Sequence, residues 1–265
     1  MLPQQTFLSS KLPLMCLSFA VLYGCSANAE EASSPFKGSY LGLEGGYATS
    51  SPTFESDPYS IDIGGETVPL PGRNDEFDLN GFQGGIHAGY NFISQSSFMI
   101  GVEADLTYLG LEDSTQIPVT RIDSVPGTEP FDVSYRSELE LEWQSTIRLR
   151  TGYVANKTLF YGTAGIAFAG LDWEETATIV DVNGAGGTIV RNHSDRDILI
   201  GYALGAGVQH AITPKLSIGA SYLYENFGDS DSLPFGHTAP AQRGSIDDLD
   251  IHKISLRLTY RFGGD

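Results

Sequence analysis

The feature of this 265-residue chain that most limits its fold is an alternation of apolar and polar residues that recurs in eight separate segments. In the last segment, every second residue from Ile254 to Phe262 is apolar or aromatic, and the residues between them are Ser, Arg or Thr. A period of two is the period of a β-strand whose two faces meet different surroundings. Together with 31 Gly, 14 Phe and 13 Tyr residues, the pattern predicts an all-β chain of eight strands.

Two of the segments are less regular than the others. In the fourth, Leu139 and Leu141 are in phase with Ile147 and Leu149, which predicts that all four lie on the same face of the strand. The fifth, Leu159 to Trp173, is apolar at both odd and even positions. Its two faces therefore cannot be assigned from the sequence.

The connections between segments alternate between short and long. Ile93 to Ser96, Ala155 to Thr158 and Ala211 to Pro214 have the length of hairpin turns. The intervening connections are long: Ser51 to Glu76, Asp113 to Ser137, Thr176 to Ser194 and Gly228 to Leu249. Compact soluble domains seldom keep several long connections, whereas transmembrane barrels combine short turns at one end with long loops at the other. The pattern predicts an eight-stranded antiparallel up-and-down transmembrane β-barrel.

A soluble barrel of the lipocalin type is the alternative for eight up-and-down strands, with the apolar faces turned inward around a ligand. Two observations disfavour it. Aromatic residues cluster at the ends of the segments, and the polar faces are rich in Gly, as a narrow polar lumen requires. The apolar faces are therefore expected to meet lipid.

The amino-terminal residues have the order of a secretory signal. Lys11 precedes an apolar run from Leu12 to Tyr23, and small residues including Ala27 and Ala29 follow. This predicts a signal peptide over residues 1–29 and a barrel with four long extracellular loops over residues 30–265. Cys25 also lies in a sequence similar to a lipoprotein box, so that lipidation at Cys25 and cleavage after Ala29 both remain open.

Charge and cysteine content exclude several classes of partner. The net charge of −18 makes a nucleic-acid partner improbable, because it would repel phosphates. Both cysteines lie in the first 25 residues, which leaves no thiolate metal site in the rest of the chain, and no cofactor is indicated. The long connections and their flanks hold 23 of the 33 acidic residues but 6 of the 15 Lys and Arg. Loose binding of divalent cations is conceivable at a set of loop carboxylates: Asp229, Asp231, Asp247 and Asp248.

The order of these parts resembles that of small opacity-protein-like, porin-family surface antigens of Gram-negative bacteria, which share the barrel type of the OmpA transmembrane domain. The resemblance spans the mature chain and is carried by five stretches: 39–47, 85–92, 147–153, 161–165 and 256–262. It implies an outer-membrane location among lipid and lipopolysaccharide, and assembly machinery that reads Tyr260 and Phe262. Such barrels usually end on the aromatic residue, whereas Gly263, Gly264 and Asp265 follow here.

Charged residues on the polar faces form the first candidate site. An eight-stranded barrel has a lumen only one or two side chains wide, so these groups are expected to meet inside it as an ion-pair network: Glu44, Glu103, Asp105, Arg148, Arg150, Arg257 and Arg261. The network could be a gated ion path or a structural plug. The plug is favoured because buried charges must be paired whether or not ions pass.

No catalytic arrangement is expected. The five histidines are dispersed along the chain, and no G-x-S-x-G sequence occurs. The sequence therefore predicts a non-enzymatic protein with a structural role in the envelope and a surface-interaction role of the antigen or adhesin kind, with host or phage ligands at its loops. The alternative suggested by the resemblance is a narrow porin-like channel or a receptor for a small ligand such as haem.

Overall fold

The computed structural model describes residues 34–56, 59–63, 66–70, 73–94, 97–122, 131–181, 188–228, 230–234, 243–247 and 249–262. The predicted signal peptide lies outside the described residues. The strands are β1 (Gly38–Ser50), β2 (Thr53–Ser56), β3 (Tyr59–Ile63), β4 (Glu66–Leu70), β5 (Arg73–Glu76), β6 (Leu79–Ile93), β7 (Phe98–Ile122), β8 (Phe131–Ala155), β9 (Thr158–Asp181), β10 (Thr188–Ala211), β11 (Leu216–Asn226), β12 (Ser230–Pro234), β13 (Arg243–Asp247) and β14 (Asp250–Arg261).

Eight of these strands form a closed barrel. Their order around the wall is β1-β14-β11-β10-β9-β8-β7-β6, and every neighbouring pair is antiparallel. Closure is made by β1, where Leu43 lies opposite Ile86 of β6 on one side and Leu258 of β14 on the other. The predicted eight-stranded antiparallel barrel is confirmed. We call the end with the three tight β6-β7, β8-β9 and β10-β11 turns the short-turn end, and the opposite end the long-connection end.

The outer wall carries the apolar face of each alternating segment. Phe82 and Leu256, for example, are 81% and 73% exposed. Aromatic side chains form a belt toward each end of this wall. The belt at the short-turn end contains Tyr90, Phe92, Phe98, Tyr153, Phe160, Tyr260 and Phe262. The belt toward the long-connection end, which we call the upper belt, contains Tyr47, Phe82, Tyr108, Trp143, Phe168, Tyr202, Tyr222 and Tyr224.

The distance between the belts matches a membrane. From Trp143 to Tyr153, about 10 residues rising about 3.3 Å each along a strand tilted by about 40° span about 25 Å, the usual height of the lipid-facing band. We therefore take the strand residues between the two belts as membrane-spanning. None of the described residues forms a helix long and apolar enough to cross a membrane.

Beyond the upper belt the barrel divides into two sheets. Strands β7, β8, β9 and β10 continue together as one sheet, and β12-β13-β2-β5 form a second sheet that continues the other half of the wall. A separate hairpin pairs β3 with β4. Much of the four long connections is therefore β-structure, formed partly by extensions of the barrel strands and partly by the short strands β2 to β5, β12 and β13.

The apolar and polar faces exchange places above the belt. On β8, Ile147 and Leu149 face outward, whereas Leu139 and Leu141 are buried inside, so the prediction that all four share a face is wrong. The reason is a register shift between Leu141 and Trp143, where β8 has one residue more than β9. Such a bulge moves every following side chain to the opposite face.

The fifth segment, whose faces could not be assigned, is now resolved. Phe160 and Ile166 face outward, and Leu159, Leu171 and Trp173 face inward. On β9 the alternation of inward and outward positions continues without a shift. The residue types change instead, because the outward positions beyond the upper belt are occupied by Asp172 and Glu174. The chain thus places apolar residues outside within the membrane and inside beyond it.

Candidate functional site

The lumen is layered, and its first layer at the short-turn end is apolar. Phe36, from the segment before β1, packs there with Met99 and Leu159, together with Val154, Tyr161 and Ala211. Asn91 Nδ2 donates a hydrogen bond to the Phe36 carbonyl oxygen at 3.0 Å, which fixes this segment inside the barrel. These side chains close the lumen beneath the charged residues.

Glu103 is the centre of the next layer. It is 1% exposed, and its carboxylate accepts hydrogen bonds from Arg148 at 3.0 Å, Arg150 at 2.9 Å and Arg257 at 2.8 Å. The hydroxyl of Tyr40 donates a further bond to it at 2.8 Å. One buried carboxylate thus links strands from opposite sides of the wall through charge-assisted hydrogen bonds.

Two further carboxylates complete this layer. Asp105 pairs with Arg148 at 2.6 Å and accepts a hydrogen bond from Thr146. Glu44 lies 3.5 Å from both Arg257 Nε and His87 Nδ1. His87 is one of the five dispersed histidines, and the structure places it beside the charged residues with its Nε2 3.0 Å from the Thr259 hydroxyl.

A third layer was missed by the sequence analysis. Lys253 Nζ lies 3.2 Å from Glu225 Oε1, and Gln144 bonds to both side chains. Lys253 is in phase with Ser255 and Arg257 on the polar face of β14, so extending the last segment by one residue would have found it. The middle of the lumen then holds equal numbers of opposite charges: Glu44, Glu103, Asp105 and Glu225 against Arg148, Arg150, Arg257 and Lys253.

Glycines make room for the two tyrosines that bridge this network. Arg150 lies over the ring of Tyr161, 4.0 Å from its centroid, and Arg257 donates to the Tyr161 hydroxyl at 2.9 Å. A Cβ at Gly207 would clash with that hydroxyl, as a Cβ at Gly89 would clash with the hydroxyl of Tyr40. The high Gly content of the polar faces thus serves the close packing of a narrow lumen.

Arg261 was expected in the same network, but the structure places it at the short-turn end. Its guanidinium donates hydrogen bonds to the carbonyl oxygens of Pro214 at 3.0 Å and Lys37 at 3.2 Å. It therefore holds the β10-β11 turn against the chain entering β1. The other six predicted residues meet in the middle of the lumen.

A larger apolar cluster closes the lumen at the long-connection end. Trp173 of β9 packs against Phe54, with ring centroids 5.0 Å apart, and against Phe77, at 5.9 Å. The remaining buried members come from both sheets and the upper barrel wall: Ala48, Leu79, Leu109, Leu111, Leu139, Leu141, Ala169, Leu171, Leu199, Leu249 and Ile251. The charged layers therefore lie between two apolar layers.

The predicted divalent-cation residues are mostly beyond what the structure describes. Asp229 and Asp248 lie outside the described residues, as does the side chain of Asp231, and Asp247 ends β13. Within the part of the chain that is described, no group of three or more His, Asp or Glu side chains is arranged to hold a metal ion.

A polar group on the outer wall was also missed. The Tyr222 hydroxyl lies 2.7 Å from His252 Nδ1, and His252 Nε2 lies 3.4 Å from Asp250 Oδ2. The rings of Tyr222 and His252 stack with centroids 6.1 Å apart in the upper aromatic belt. The cross-strand register brings these residues together, and the spacing along the sequence gave no sign of it.

Two sequence relatives and one solved structure show what this chain is similar to. The chain is 24% identical over 226 residues to a 31 kDa outer-membrane immunogenic protein of Brucella melitensis, covering 85% of this chain and 83% of the relative. It is 29% identical over 151 residues to a 22 kDa outer membrane protein of Rhizobium leguminosarum bv. viciae, covering 57% and 55%. The solved structure of OprG from Pseudomonas aeruginosa is similar with a TM-score of 0.43 and 14% identity, covering 87% of this chain and 100% of OprG.

The family assignment rests on a match over most of the chain. A family model described as the outer membrane protein beta-barrel domain matches residues 17–262. The relatives are named as outer-membrane proteins, and the lipid-facing wall with its two aromatic belts fits that location. This chain belongs to the outer membrane protein beta-barrel domain family and is a protein of the bacterial outer membrane.

Proposed function

We propose that this protein is a sealed, non-enzymatic barrel that stabilises the outer membrane and presents its long-connection end to the outside for interactions at the cell surface. The observation that carries the proposal is the layering of the lumen. Charged residues fill its middle, and apolar clusters around Met99 at one end and Trp173 at the other separate them from solvent.

The charged layers support a structural role because their members neutralise one another. Four carboxylates face four cationic groups at hydrogen-bonding or near-contact distances. Breaking such pairs to admit an ion or a small ligand would leave buried charges without partners, which is costly. The same argument disfavours a narrow channel or a small-ligand receptor in the lumen.

The position of the histidines supports a function without catalysis. His87 lies in the sealed lumen, while His210 and His252 are exposed on the outer wall. In the Asp250-His252-Tyr222 group the hydroxyl is a phenol within an aromatic belt, which suits anchoring at the membrane boundary better than acyl transfer. The side chain of His193 and all of His237 lie outside the described residues.

The expected orientation places the short-turn end in the periplasm. An even strand number puts both ends of the barrel sequence on one side, and barrels of this type have short periplasmic turns. Tyr260 and Phe262 lie on the outer wall at that end, where they are open to the assembly machinery. The two sheets beyond the upper belt then face the medium, where a host or phage ligand and neighbouring lipopolysaccharide are accessible.

Planar-bilayer recording of the purified, refolded protein tests the sealed lumen. We expect no stable openings for the wild-type protein, because both apolar clusters must part before ions can cross the lumen. Large stable openings in the wild type would refute the sealed barrel. Openings that appear only in Arg148→Ala or Glu103→Ala would still agree with it, since each removes one side of a buried pair.

Cysteine labelling of intact cells tests the orientation. Ser114 is exposed on β7 beyond the upper belt, and Lys157 is exposed in the β8-β9 turn. A membrane-impermeant maleimide should label Ser114→Cys on intact cells and Lys157→Cys only after the outer membrane is opened. Labelling of Lys157→Cys alone on intact cells would mean that the barrel is inserted the other way round.

A further inference from the structure

We propose that the outer part of β10, from Thr188 to Gly201, is a docking edge that adds an extended, cationic peptide strand to the sheet beyond the membrane. The proposal deepens the surface-interaction role proposed above by naming the binding surface and the chemistry of its partner. It follows from three features: a strand edge that no described strand pairs with, the absence of proline and of register shifts along it, and the charge of the face beside it.

The edge arises because β10 is longer than its neighbour. On one side, β10 pairs with β9 from Thr188 to His210. On the other side, its pairing with β11 begins only at Tyr202, opposite Asn226. The chain after β11 continues as β12, which pairs with β13 in the other sheet. Among the described residues, no strand pairs with this side of β10 from Thr188 to Gly201.

Proteins usually protect such edges, because unpaired N–H and C=O groups invite another strand. The edge of β7, on the far side of the same sheet, is protected: it contains Pro118 and a register shift between Ile117 and Thr120. At its base, Asp113 accepts a hydrogen bond from the backbone N–H of Asp78 at 2.9 Å. From Thr188 to Gly201, β10 contains neither Pro nor Lys and its pairing with β9 is regular, although it carries four charged residues: Arg191, Asp195, Arg196 and Asp197. The β10 edge is therefore the more open of the two.

The outward face beside this edge is acidic. One cross-strand row runs from Glu112 through Glu140 and Asp172 to Arg196 on β10, and Arg196 pairs with Asp172. The next row runs from Glu138 through Glu174 to Ser194 on β10. Since Ser194 is short, it leaves Glu174 accessible from the edge.

These rows define the partner. A strand added to β10 would lie two strand spacings, or about 10 Å, from β9. A Lys or Arg side chain opposite Ser194 could therefore reach over it toward the Glu174 carboxylate. A second copy of this chain is a poor occupant because its net charge is −18. Antiparallel addition is expected, as in every strand pair here, and the backbone bonds would supply affinity while the basic side chains select the partner.

The probe is a capped, fluorescein-labelled peptide of eight residues in which Lys and Val alternate, titrated by fluorescence anisotropy against the full-length protein in lipid nanodiscs. We expect saturable binding. A peptide with Glu in place of Lys should bind at least about tenfold more weakly, and bound Lys peptide should slow hydrogen exchange of the amides from Thr188 to Gly201.

Two N-methylated probes separate strand addition from attraction between charges. One carries N-methyl groups on every Lys and the other on every Val, so each blocks the hydrogen bonds along one side of the peptide strand. Antiparallel addition predicts that one probe binds like the parent and the other loses at least about tenfold in affinity. Attraction between charges alone would leave both unchanged and would overturn the proposal.

Matched variants locate the site. Glu174→Gln should weaken binding of the Lys peptide by about two- to fivefold, the usual size of one exposed ion pair. Glu112→Gln removes the same charge from β7, about 20 Å from the added strand, and should leave binding unchanged. Absence of saturable binding, or protection that appears elsewhere than β10, would also overturn the proposal. Nanodiscs expose both ends of the barrel, so these results do not depend on its orientation or conductance in cells.

Discussion

Arg257 on β14 and Glu103 on β7 are joined by a 2.8 Å hydrogen bond across the lumen, although β1 and β6 separate their strands along the wall. The same carboxylate also holds Arg148 and Arg150. It therefore links β14 to β7 and β8, with which β14 makes no backbone contact, and its removal should affect the whole barrel.

We expect Glu103→Gln to lower the free energy of unfolding by about 3–5 kcal/mol, because three buried guanidinium groups lose their shared counter-charge. The midpoint of urea unfolding, followed by the heat-modifiable gel shift, measures this. Glu138→Gln is the matched control, since Glu138 pairs with Arg136 in the exposed sheet. Its cost should stay below about 1 kcal/mol. Similar costs for the two variants would contradict the buried network.

The apolar core beyond the membrane should unfold separately from the barrel. Phe54 is buried against Trp173, so Phe54→Ala should cost about 3–5 kcal/mol in that region. Limited proteolysis should cleave the long connections faster, while the heat-modifiable shift of the barrel stays unchanged. Phe82→Ala, on the lipid-facing wall, should leave the cleavage of the long connections as it is. Loss of the barrel in Phe54→Ala would show that the two regions are one cooperative unit.

Acidification should stabilise the sheet formed by the outer parts of β7 to β10. Partial burial and the neighbouring carboxylates of Glu142, Glu112 and Asp172 raise the pKa of Glu140 above its usual value. A group whose pKa is raised on folding contributes stability that is present at low pH and is lost as the pH rises through that pKa. Exchange of the amides around Glu140 should therefore be slower at about pH 4 than at about pH 7 once corrected for intrinsic rates.

Glu140→Gln should abolish this pH dependence and stabilise the sheet at neutral pH. Removing like charges that face each other across strands is worth about 0.2–1 kcal/mol, with the lower end expected because solvent screens the pair. Glu55→Gln in the other sheet is the control, since a Gln oxygen can still accept the hydrogen bond from Asn74. Equal pH dependence in Glu140→Gln and the wild type would exclude this group as the cause.

Chelation of divalent cations should loosen the long connections. Their excess of acidic residues repels the phosphates of lipopolysaccharide unless a cation lies between them. On intact cells, removal of magnesium and calcium should speed protease cleavage in the long connections and leave the barrel strands protected. Cleavage that is indifferent to these cations would argue against the bridge, and cleavage at the three tight turns would argue against the orientation.

The barrel could be predicted from the sequence because lipid imposes its pattern residue by residue. The alternation around Leu256 and Leu258 identified both the strand and its lipid-facing side. For the same reason, most charged residues of the layer around Glu103 were recognisable as a set, whereas Lys253 and Glu225 were missed. The pairs that they form could not be predicted in full. Arg257 and Glu103, for example, meet across the lumen from strands that are not neighbours, and no regular spacing along the sequence relates them.

The structure beyond the membrane could not be predicted in the same way. Leu139 and Leu141 continue the apolar alternation of β8, and a bulge of one residue, which leaves no mark in that alternation, turns them to the inside. The strands β2, β5, β12 and β13 are short and lack a repeating pattern. Their arrangement depends on pairing between distant parts of the chain and on the core around Trp173.

The extra residue of β8 near Glu142 has a consequence for how deeply the protein is seated. Between this residue and the short-turn end, the outer face of β8 is apolar and suits the hydrocarbon of the bilayer. Beyond it, the outer face of β8 carries Glu140 and suits water. If Glu142 paired regularly, with no bulge at this point, the inside-polar phase would continue along the strand, and Leu139 and Leu141 would turn outward and Glu140 inward. The position of this one bulge thus sets the depth at which the barrel is inserted in the bilayer.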